Sequence, residues 1–468
     1  MTTDEIPLGH VGNLTQEQEI KLQELWAMTL KIFGVKPEGR EDQASMRSAE
    51  STPESPSPEK KKGGKKRLGL FSRKDDEAGK ANELNTENGI SASLAGVKIS
   101  DSDDKYGQLK DFQQAIADES PEDLRVTFWN MVKHDNPDSL LLRFLRARKW
   151  DVHKALVMMI STMRWRLSEM HVDDDIMKNG EALALKQSQS SDPAAKKAGD
   201  EFLHQIRMGK SFLHGVDKKG RPMCLVRVRL HKAADQSPEI LERYTVYTIE
   251  TARMMLAPPI ETATIIFDMT DFSLANMDYA PVKFMIKCFE ANYPESLGTV
   301  LIHKAPWIFS GIWNIIKGWL DPVVAAKIHF TKSVDDLEKF IPRGRIMKEL
   351  GGDEDFEYKY VEPQPDENAK MEDTATRDEL VAQRQALCKE FQTATFAWIA
   401  ATAKGDTEAV AAQKAKRADL TEKIRKGYWE LDPYVRARSY YDRTGVIMGG
   451  GKIKFYPDLE VKVNGADS

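Results

Sequence analysis

Residues 299–322 read TVLIHKAPWIFSGIWNIIKGWLDP, and the change of pattern inside this segment sets the fold class. Thr299 to His303 is a short, largely apolar run of the kind that makes a buried strand. From Pro306 the spacing becomes helical: Ser310, Asn314 and Lys317 fall on one narrow polar stripe, while Ile308, Phe309, Ile312, Trp313, Ile316 and Trp319 cover the rest. Proline suits a first helical turn, and Asp321-Pro322 suits the end. The predicted helix is too apolar for an ordinary surface and too short to cross a bilayer, which takes roughly 20 apolar residues. Two readings stay open at this point, a helix packed in a core or one lying between something apolar and something wet. The indoles of Trp307, Trp313 and Trp319 favour the second, since each joins an apolar body to a polar N–H suited to a lipid–water boundary.

Strand-like and helix-like patterns alternate around this segment. Pro222 to Leu230 alternates in its second half, with Val226, Val228 and Leu230 set against Arg227 and Arg229; Thr262 to Asp268 and Lys327 to Phe330 are further apolar runs. Helical patterns over Pro238–Leu256 and Ala280–Asn292 lie between them. This predicts an α/β layered domain over residues 201–352. Upstream, Tyr106 to Met170 is helical and defines a small module over 105–180. Asn136-Pro137-Asp138-Ser139 is a start signal there, with Leu140, Leu141, Phe144 and Leu145 on one face and Arg143, Arg146, Arg148 and Lys149 toward the other. Asp151 caps the next helix. The charged stretch from Lys178 to Lys197 reads as a spacer. Downstream, Asp378 to Lys426 predicts a helical hairpin turning at Gly405-Asp406, within an extension over 353–468 whose Tyr428, Trp429, Tyr434, Tyr440 and Tyr441 imply packing. At the other end, Thr15 and Gln18 form a capping box that opens a helix within residues 1–33.

The 468 residues leave room for several domains of roughly 100–200 residues each. With 41% hydrophobic residues, 30% charged and a net charge of -5, the composition is that of a soluble globular protein, with no field that points to nucleic acid. Cys224, Cys288 and Cys388 lack disulfide or zinc-ligand spacing, so no metal is expected and a reducing compartment is. Met1 to Gly12 has no apolar run of a secretory signal, and Thr2 stands where N-myristoylation needs glycine. Residues 34–104 are rich in Ser, Pro, Glu, Lys and Gly and read as a disordered linker. Within it, residues 60–74 (KKKGGKKRLGLFSRK) carry eight basic residues and no acid. Each is worth roughly 1 kcal/mol beside an anionic leaflet, so the cluster reads as a membrane tether, with nuclear import and plain solvation as its rivals. Phosphate on Thr52, Ser55 or Ser57, each followed by proline, would weaken that attraction.

Catalytic signatures are missing from this sequence. There is no HExxH, GxSxG or EF-hand loop. Gly449-Gly450-Gly451-Lys452 fails as a phosphate loop, because Val446 and Ile453 stand where glycine and Ser/Thr are needed, and reads as a flexible tail. His204, His214, His231 and His303 fall on different predicted elements and read as ordinary surface or core histidines.

Taken in order, Asp138–Val152 (DSLLLRFLRARKWDV), Gly215–Pro222 (GVDKKGRP), Ile266-Phe267-Asp268, Asn292–Gly298 (NYPESLG) and Ala305 through Asp321-Pro322 to Ile328 resemble the CRAL-TRIO lipid-binding family in its phosphatidylinositol-transfer branch. The resemblance spans about Asp138 to Gly352. It implies an all-helical module beside an α/β domain whose sheet floors an apolar pocket. A mobile gate would correspond to the opening segment, with Trp307, Phe309, Ile312, Trp313, Ile316 and Trp319 as its apolar face. Headgroup binding is implied for Arg148, Lys149, Glu295 and Lys327: cations suit a phosphodiester, and a carboxylate suits inositol hydroxyls. Ala263 and Ile265 replace the hydroxyl side chains that phosphatidylcholine-binding members carry on the pocket strand, which points to a wholly apolar second ligand, such as squalene or a sterol.

The function so implied is that of a lipid-transfer protein of phospholipid homeostasis, not an enzyme, with a bound phospholipid and no cofactor. It would be cytoplasmic, in transient peripheral contact with anionic membranes, and would present lipid to a lipid kinase or scaffold partner. The alternatives are a carrier or sensor of a neutral apolar lipid and a lipid-regulated protein scaffold. Fold class, then, is α/β, with a helical module before the lipid domain and a helical hairpin after it.

Overall fold

The computed structural model describes residues 6–36 and 104–456. The basic cluster 60–74, the Ser/Thr-Pro sites and nearly all of the 34–104 linker lie outside the described residues.

Helix α1 (Gln16–Ile32) opens on the Thr15–Gln18 capping box and buries Leu22, Leu25, Trp26 and Leu30. The helical module follows as α2 (Gln108–Asp118), α3 (Pro121–Val132), α4 (Pro137–Ala147) and α5 (Val152–Arg164). Ser120, Asn136 and Asp151 cap the last three of these by accepting a backbone N–H, which satisfies donors the helix start leaves unpaired. The stretch expected to be a spacer is instead a helical hairpin, α6 (Lys178–Ser188) and α7 (Pro193–Arg207). Apart from the buried Glu181, most of its charges face solvent on one side while Ala184, Phe202, Leu203 and Ile206 are buried on the other. Gly199 lets the two helices approach: a Cβ there would stand 2.4 Å from Ala184 O and Ser188 N. Few apolar residues suffice for a helix that buries only one stripe.

The α/β domain runs β1 (Ser211–Val216), β2 (Pro222–Arg227), α8 (Pro238–Met254), β3 (Ala263–Asp268), α9 (Tyr279–Lys287), β4 (Leu297–His303), α10 (Phe309–Lys317) and β5 (Ile328–Thr331). The sheet order is β1-β2-β3-β4-β5; β1 is antiparallel to β2 and the other neighbours are parallel. Two expectations need correction here. The strand expected to reach Leu230 ends at Arg227, because Asn276 Nδ2 donates to the carbonyls of Arg229 and His231, both at 3.0 Å, and pulls the chain into a turn. The helix expected from Pro306 to Pro322 is shorter, with Pro306–Ile308 a turn leading in and a loop following Lys317.

Pleat parity gives the sheet two different faces. Cys224, Ile265, Val300 and Ile328 lie in register across four strands, and Val226, Phe267 and Ile302 form the next row on the same face. On the other face Phe212, Leu225, Ile266 and Leu301 pack against Leu337, Ile341, Ile346 and Leu350 in a filled core. The hollow described below lies on the first face alone.

The C-terminal hairpin is α11 (Thr374–Lys404) and α12 (Thr407–Val435), joined through Gly405 in the left-handed region at φ 70° and capped by Asp406. Arg417 of α12 lies over the Trp398 and Phe391 rings, 4.3 and 4.6 Å from their centroids, and donates to both Asp138 oxygens at 2.6 and 2.9 Å. Trp26 Nε1 of α1 donates to the same carboxylate at 2.7 Å. One side chain thus ties the first helix, the module and the extension together. The glycine run at 449–451 is not a loose tail: Ile447 pairs with Ile453, and the Tyr456 hydroxyl accepts from Val216 N at 3.0 Å, fastening the segment to β1.

Replacing Asp138 by alanine leaves the buried Arg417 guanidinium without a carboxylate, so a loss of about 3–5 kcal/mol of unfolding free energy is expected in a denaturant titration. A loss below about 1 kcal/mol would mean that this junction does not hold the three segments.

Candidate functional site

A cavity of about 250 Å³ lies between the first sheet face and three helices. Cys224, Val226, Ile265, Phe267, Val300, Ile302 and Ile328 floor it, α8 and α9 wall it with Leu241, Ile249, Val282 and Met285, and α10 roofs it with Phe309, Trp313 and Ile316. Hydroxyls in the walls are already spent: Thr245 and Thr248 donate to carbonyls of their own helix at 2.8 and 2.9 Å, and Tyr244 OH donates to Ser211 O at 2.8 Å. The space is therefore apolar over most of its surface. Burial pushes the Cys224 thiol at its floor up to about 12, as expected of a group with nothing to stabilise a thiolate.

The roof has an inner and an outer side. Phe309, Ile312 and Ile316 are buried at 6, 8 and 8% exposure, and Trp313 and Trp319 pack partly into the same cluster. Trp307 is 87% exposed, in the turn ahead of α10, and Ile315, Val323 and Phe330 add further exposed apolar surface. The roof's trailing loop is tied down by Glu290, whose carboxylate accepts from Asp321 N at 2.7 Å, Tyr106 OH at 2.7 Å and Lys105 Nζ at 2.8 Å. Lys105 also donates to Trp319 O.

Of the expected polar residues, Glu295 and Lys327 come together, their charged atoms 3.8 Å apart, just ahead of β4 and β5. Arg148 Nη2 donates to Gln108 Oε1 at 2.5 Å, and Gln108 Nε2 reaches Ala291 O at 3.3 Å, a chain leading toward the same edge. Lys149 is exposed and faces a groove against α1. None of the four lines the cavity itself. Arg143 and Arg146 also reach this edge, a role the sequence did not single out. Arg143 approaches Ser296 Oγ at 3.4 Å, while burial pulls the Arg146 guanidinium down against the opposing pull of Glu261 and Glu295. Lys149, Trp150, Glu295 and Lys304 hold positive φ angles of 51, 65, 54 and 54°, a costly conformation for residues with a Cβ, and they cluster at this edge and at the roof's entry. Ile265 lines the cavity, whereas Ala263, on the same face, sits half-buried beyond the lining. Sequence reading missed a polar group in the opposite wall, Lys210, His231 and Asp278, because these residues are distant in the chain and fit no motif. Among the described residues no cluster could hold a metal ion, and no helix is long and apolar enough to cross a membrane.

An α/β domain with an apolar cavity, a helix for a roof and charge at one rim defines a class of protein built around an apolar guest. The description "CRAL/TRIO domain" matches residues 206–352, and "CRAL/TRIO, N-terminal domain" matches 108–161. "CRAL-TRIO domain-containing protein C3H8.02" of Schizosaccharomyces pombe is 42% identical over 442 residues, covering 94% of this chain and 92% of that protein. "Phosphatidylinositol transfer protein CSR1" of Eremothecium gossypii is 41% identical over 448 residues, covering 94% and 98%. The "Sec14 cytosolic factor" of Schizosaccharomyces pombe is 29% identical over 262 residues, covering 53% and 84%. The chain belongs to the CRAL-TRIO family.

Cys224 offers a readout of the cavity floor. With its thiol pushed up to about 12, it is expected to react with a small neutral maleimide far more slowly than free cysteine at neutral pH, as followed by mass spectrometry of the labelled peptide. Labelling as fast as free cysteine would mean that the cavity floor is open to water.

Proposed function

We propose that this chain extracts one phosphatidylinositol molecule from a membrane and exchanges it at another, with α10 acting as a gate. The reading rests on one arrangement: an apolar cavity whose nearby edge carries Glu295 and Lys327, with Arg148 linked toward that edge through Gln108. A lysine suits the phosphodiester and a carboxylate accepts from inositol hydroxyls. Burying acyl chains in the cavity replaces the burial they lose on leaving the bilayer, at about 25 cal/mol per Å² in both places, so the chains nearly balance. Headgroup contacts and gate opening then set the outcome, and no covalent step is needed. The relative described as a phosphatidylinositol transfer protein supports the same reading over nearly the whole chain.

The outer side of the gate is the membrane-facing surface in this account. Trp307, Ile315, Val323 and Phe330 present apolar area that a lone soluble domain gains nothing by exposing. Lys283 lies 4.7 Å from the centre of the Trp319 ring and supplies a cation beside it for an anionic leaflet. A second reading, a carrier of a neutral apolar lipid, is favoured by the row Cys224, Ile265, Val300 and Ile328, which offers no hydroxyl to a headgroup inside the cavity.

Substituting Lys327 by alanine is expected to slow phosphatidylinositol transfer between vesicles roughly tenfold, the loss of one charged hydrogen bond, while uptake of an apolar dye is unchanged. Equal loss of both would mean that the domain has unfolded, and no loss of transfer would remove Lys327 from headgroup binding. Trp307→Ala, at an exposed position, is expected to weaken binding to phosphatidylcholine–phosphatidylserine vesicles in a sedimentation assay without moving Tm. Unchanged vesicle binding would count against α10 as the docking face.

A further inference from the structure

Most polar atoms around the cavity are satisfied by protein partners, but one group at its far end is not. The strands β2 to β5 are parallel, so Glu295 and Lys327 stand at their N-terminal ends while Lys210, His231 and Asp278 gather beyond the C-terminal ends of β2 and β3. Lys210 is fixed to the sheet edge by its backbone, its carbonyl accepting from Arg227 N at 2.8 Å. Its side chain is only 4% exposed and lines the cavity. The ammonium donates to Gln236 Oε1 at 3.0 Å and to His231 Nδ1 at 3.3 Å; among the described residues its third N–H has no acceptor and no carboxylate pairs with it. With Nδ1 accepting, His231 carries its proton on Nε2, a buried atom with no hydrogen bond, 3.4 Å from Asp278 Oδ2. Asp278 Oδ1 is spent on Ala280 N at 3.0 Å, which leaves Oδ2 open toward the histidine.

A lysine buried in an apolar wall with an unused donor is costly unless something completes it. Burial pulls the ammonium down to about 8, so it keeps its proton at neutral pH. The charges around it decide the sign of the missing partner. Asp235 and Asp278 both act on Lys210, and among the described residues Asp235 otherwise has only His204 at 3.9 Å. Nearby, Arg229 is occupied by Asp268 and Glu349, and Arg227 by Glu349. One cation facing two carboxylates leaves little attraction for another anion. A neutral oxygen fits better: a hydroxyl accepts from Lys210 and donates its own hydrogen bond to Asp278.

We infer that this far polar end is a second binding subsite that takes the terminal hydroxyl of a neutral, largely hydrocarbon lipid, whose body fills the apolar cavity. The inference rests on the reading of the cavity as a lipid site. It narrows the neutral-lipid alternative, since a pure hydrocarbon leaves Lys210 and His231 as they are.

The test uses the full chain, freed of lipid and mixed with phosphatidylcholine vesicles holding equal traces of hexadecan-1-ol, hexadecane and hexadecanoate, with the extracted lipid measured by mass spectrometry. The wild-type protein is expected to take the alcohol over both others, and the alcohol-to-alkane ratio is expected to fall at least about fivefold in Lys210→Met and in His231→Phe. Alkane uptake reports whether each cavity survives; should Lys210→Met take up no lipid, His231→Phe carries the comparison. An equal ratio in wild type and the surviving variants overturns the subsite, and so does a preference for hexadecanoate, which would make it an anion site. Failure of the wild-type protein to extract any of the three would overturn the cavity as a lipid site as well.

Discussion

A sheet that faces a hollow cannot draw stability from that face, and much of the architecture answers this constraint. At the roughly 24 cal/mol per Å³ that an unfilled core volume costs, the cavity amounts to about 6 kcal/mol, a large share of the 5–15 kcal/mol by which a domain is stable. The opposite face is accordingly packed solid, with Phe212, Leu225, Ile266 and Leu301 fully buried. A guest that fills the space returns part of the lost contact, so an apolar occupant stabilises the fold it enters. The same deficit makes the empty state receptive.

Buried ionic networks hold the frame around the hollow. Arg166, 1% exposed, sits between Asp173 and Glu250 at 3.0 and 2.6 Å, and Lys133 reaches the same two carboxylates. Burial alone would raise the Glu250 carboxyl, but Arg166, Arg253 and Lys133 hold it well below the usual range. Glu181 on α6 accepts from Tyr247, Tyr360, Tyr440 N and Arg443, joining the helical hairpin to α8 and to the C-terminal segment. Arg436 and Arg438 share Asp432 and Asp442 in the extension. Such pairs add little net stability against desolvation, yet breaking one is expensive, so they fix geometry more than they add energy. All of them lie in the frame. The roof has mainly apolar contacts and the Glu290 tie, which suits the gate proposed for it.

The sequence carried those parts whose signal is local. Helical periodicity located the module and the hairpin turning at Gly405, and short apolar runs located β3, β4 and β5, since each depends on the placing of apolar residues along one element. It was silent where structure depends on partners. The stretch 178–197 looks like a spacer because its apolar content is low, yet Glu181 there is among the most heavily bonded side chains, and its partners lie more than sixty residues away. Strand β1 carries no alternation because both of its faces are covered, Phe212 on one side and Leu213 on the other. The site divides in the same way. The roof's apolar face is written in the helix itself, but Lys210, His231 and Asp278 become neighbours only when the strand ends converge.

Polarity at both ends of one cavity has a consequence for exchange. Ligands with heads at opposite ends must lay their hydrocarbon in the same space, so they exclude one another even though their polar contacts are separate. Under the proposed gating, two lipids competing in this way would be coupled through shared volume, the one bound less tightly leaving when the roof opens beside a membrane rich in the other. The coupling needs no conformational signal between the ends, since occupancy alone transmits it. A protein so arranged would unload one lipid in proportion to the local supply of a second, which turns an apolar hollow with two polar ends into a comparator of membrane composition.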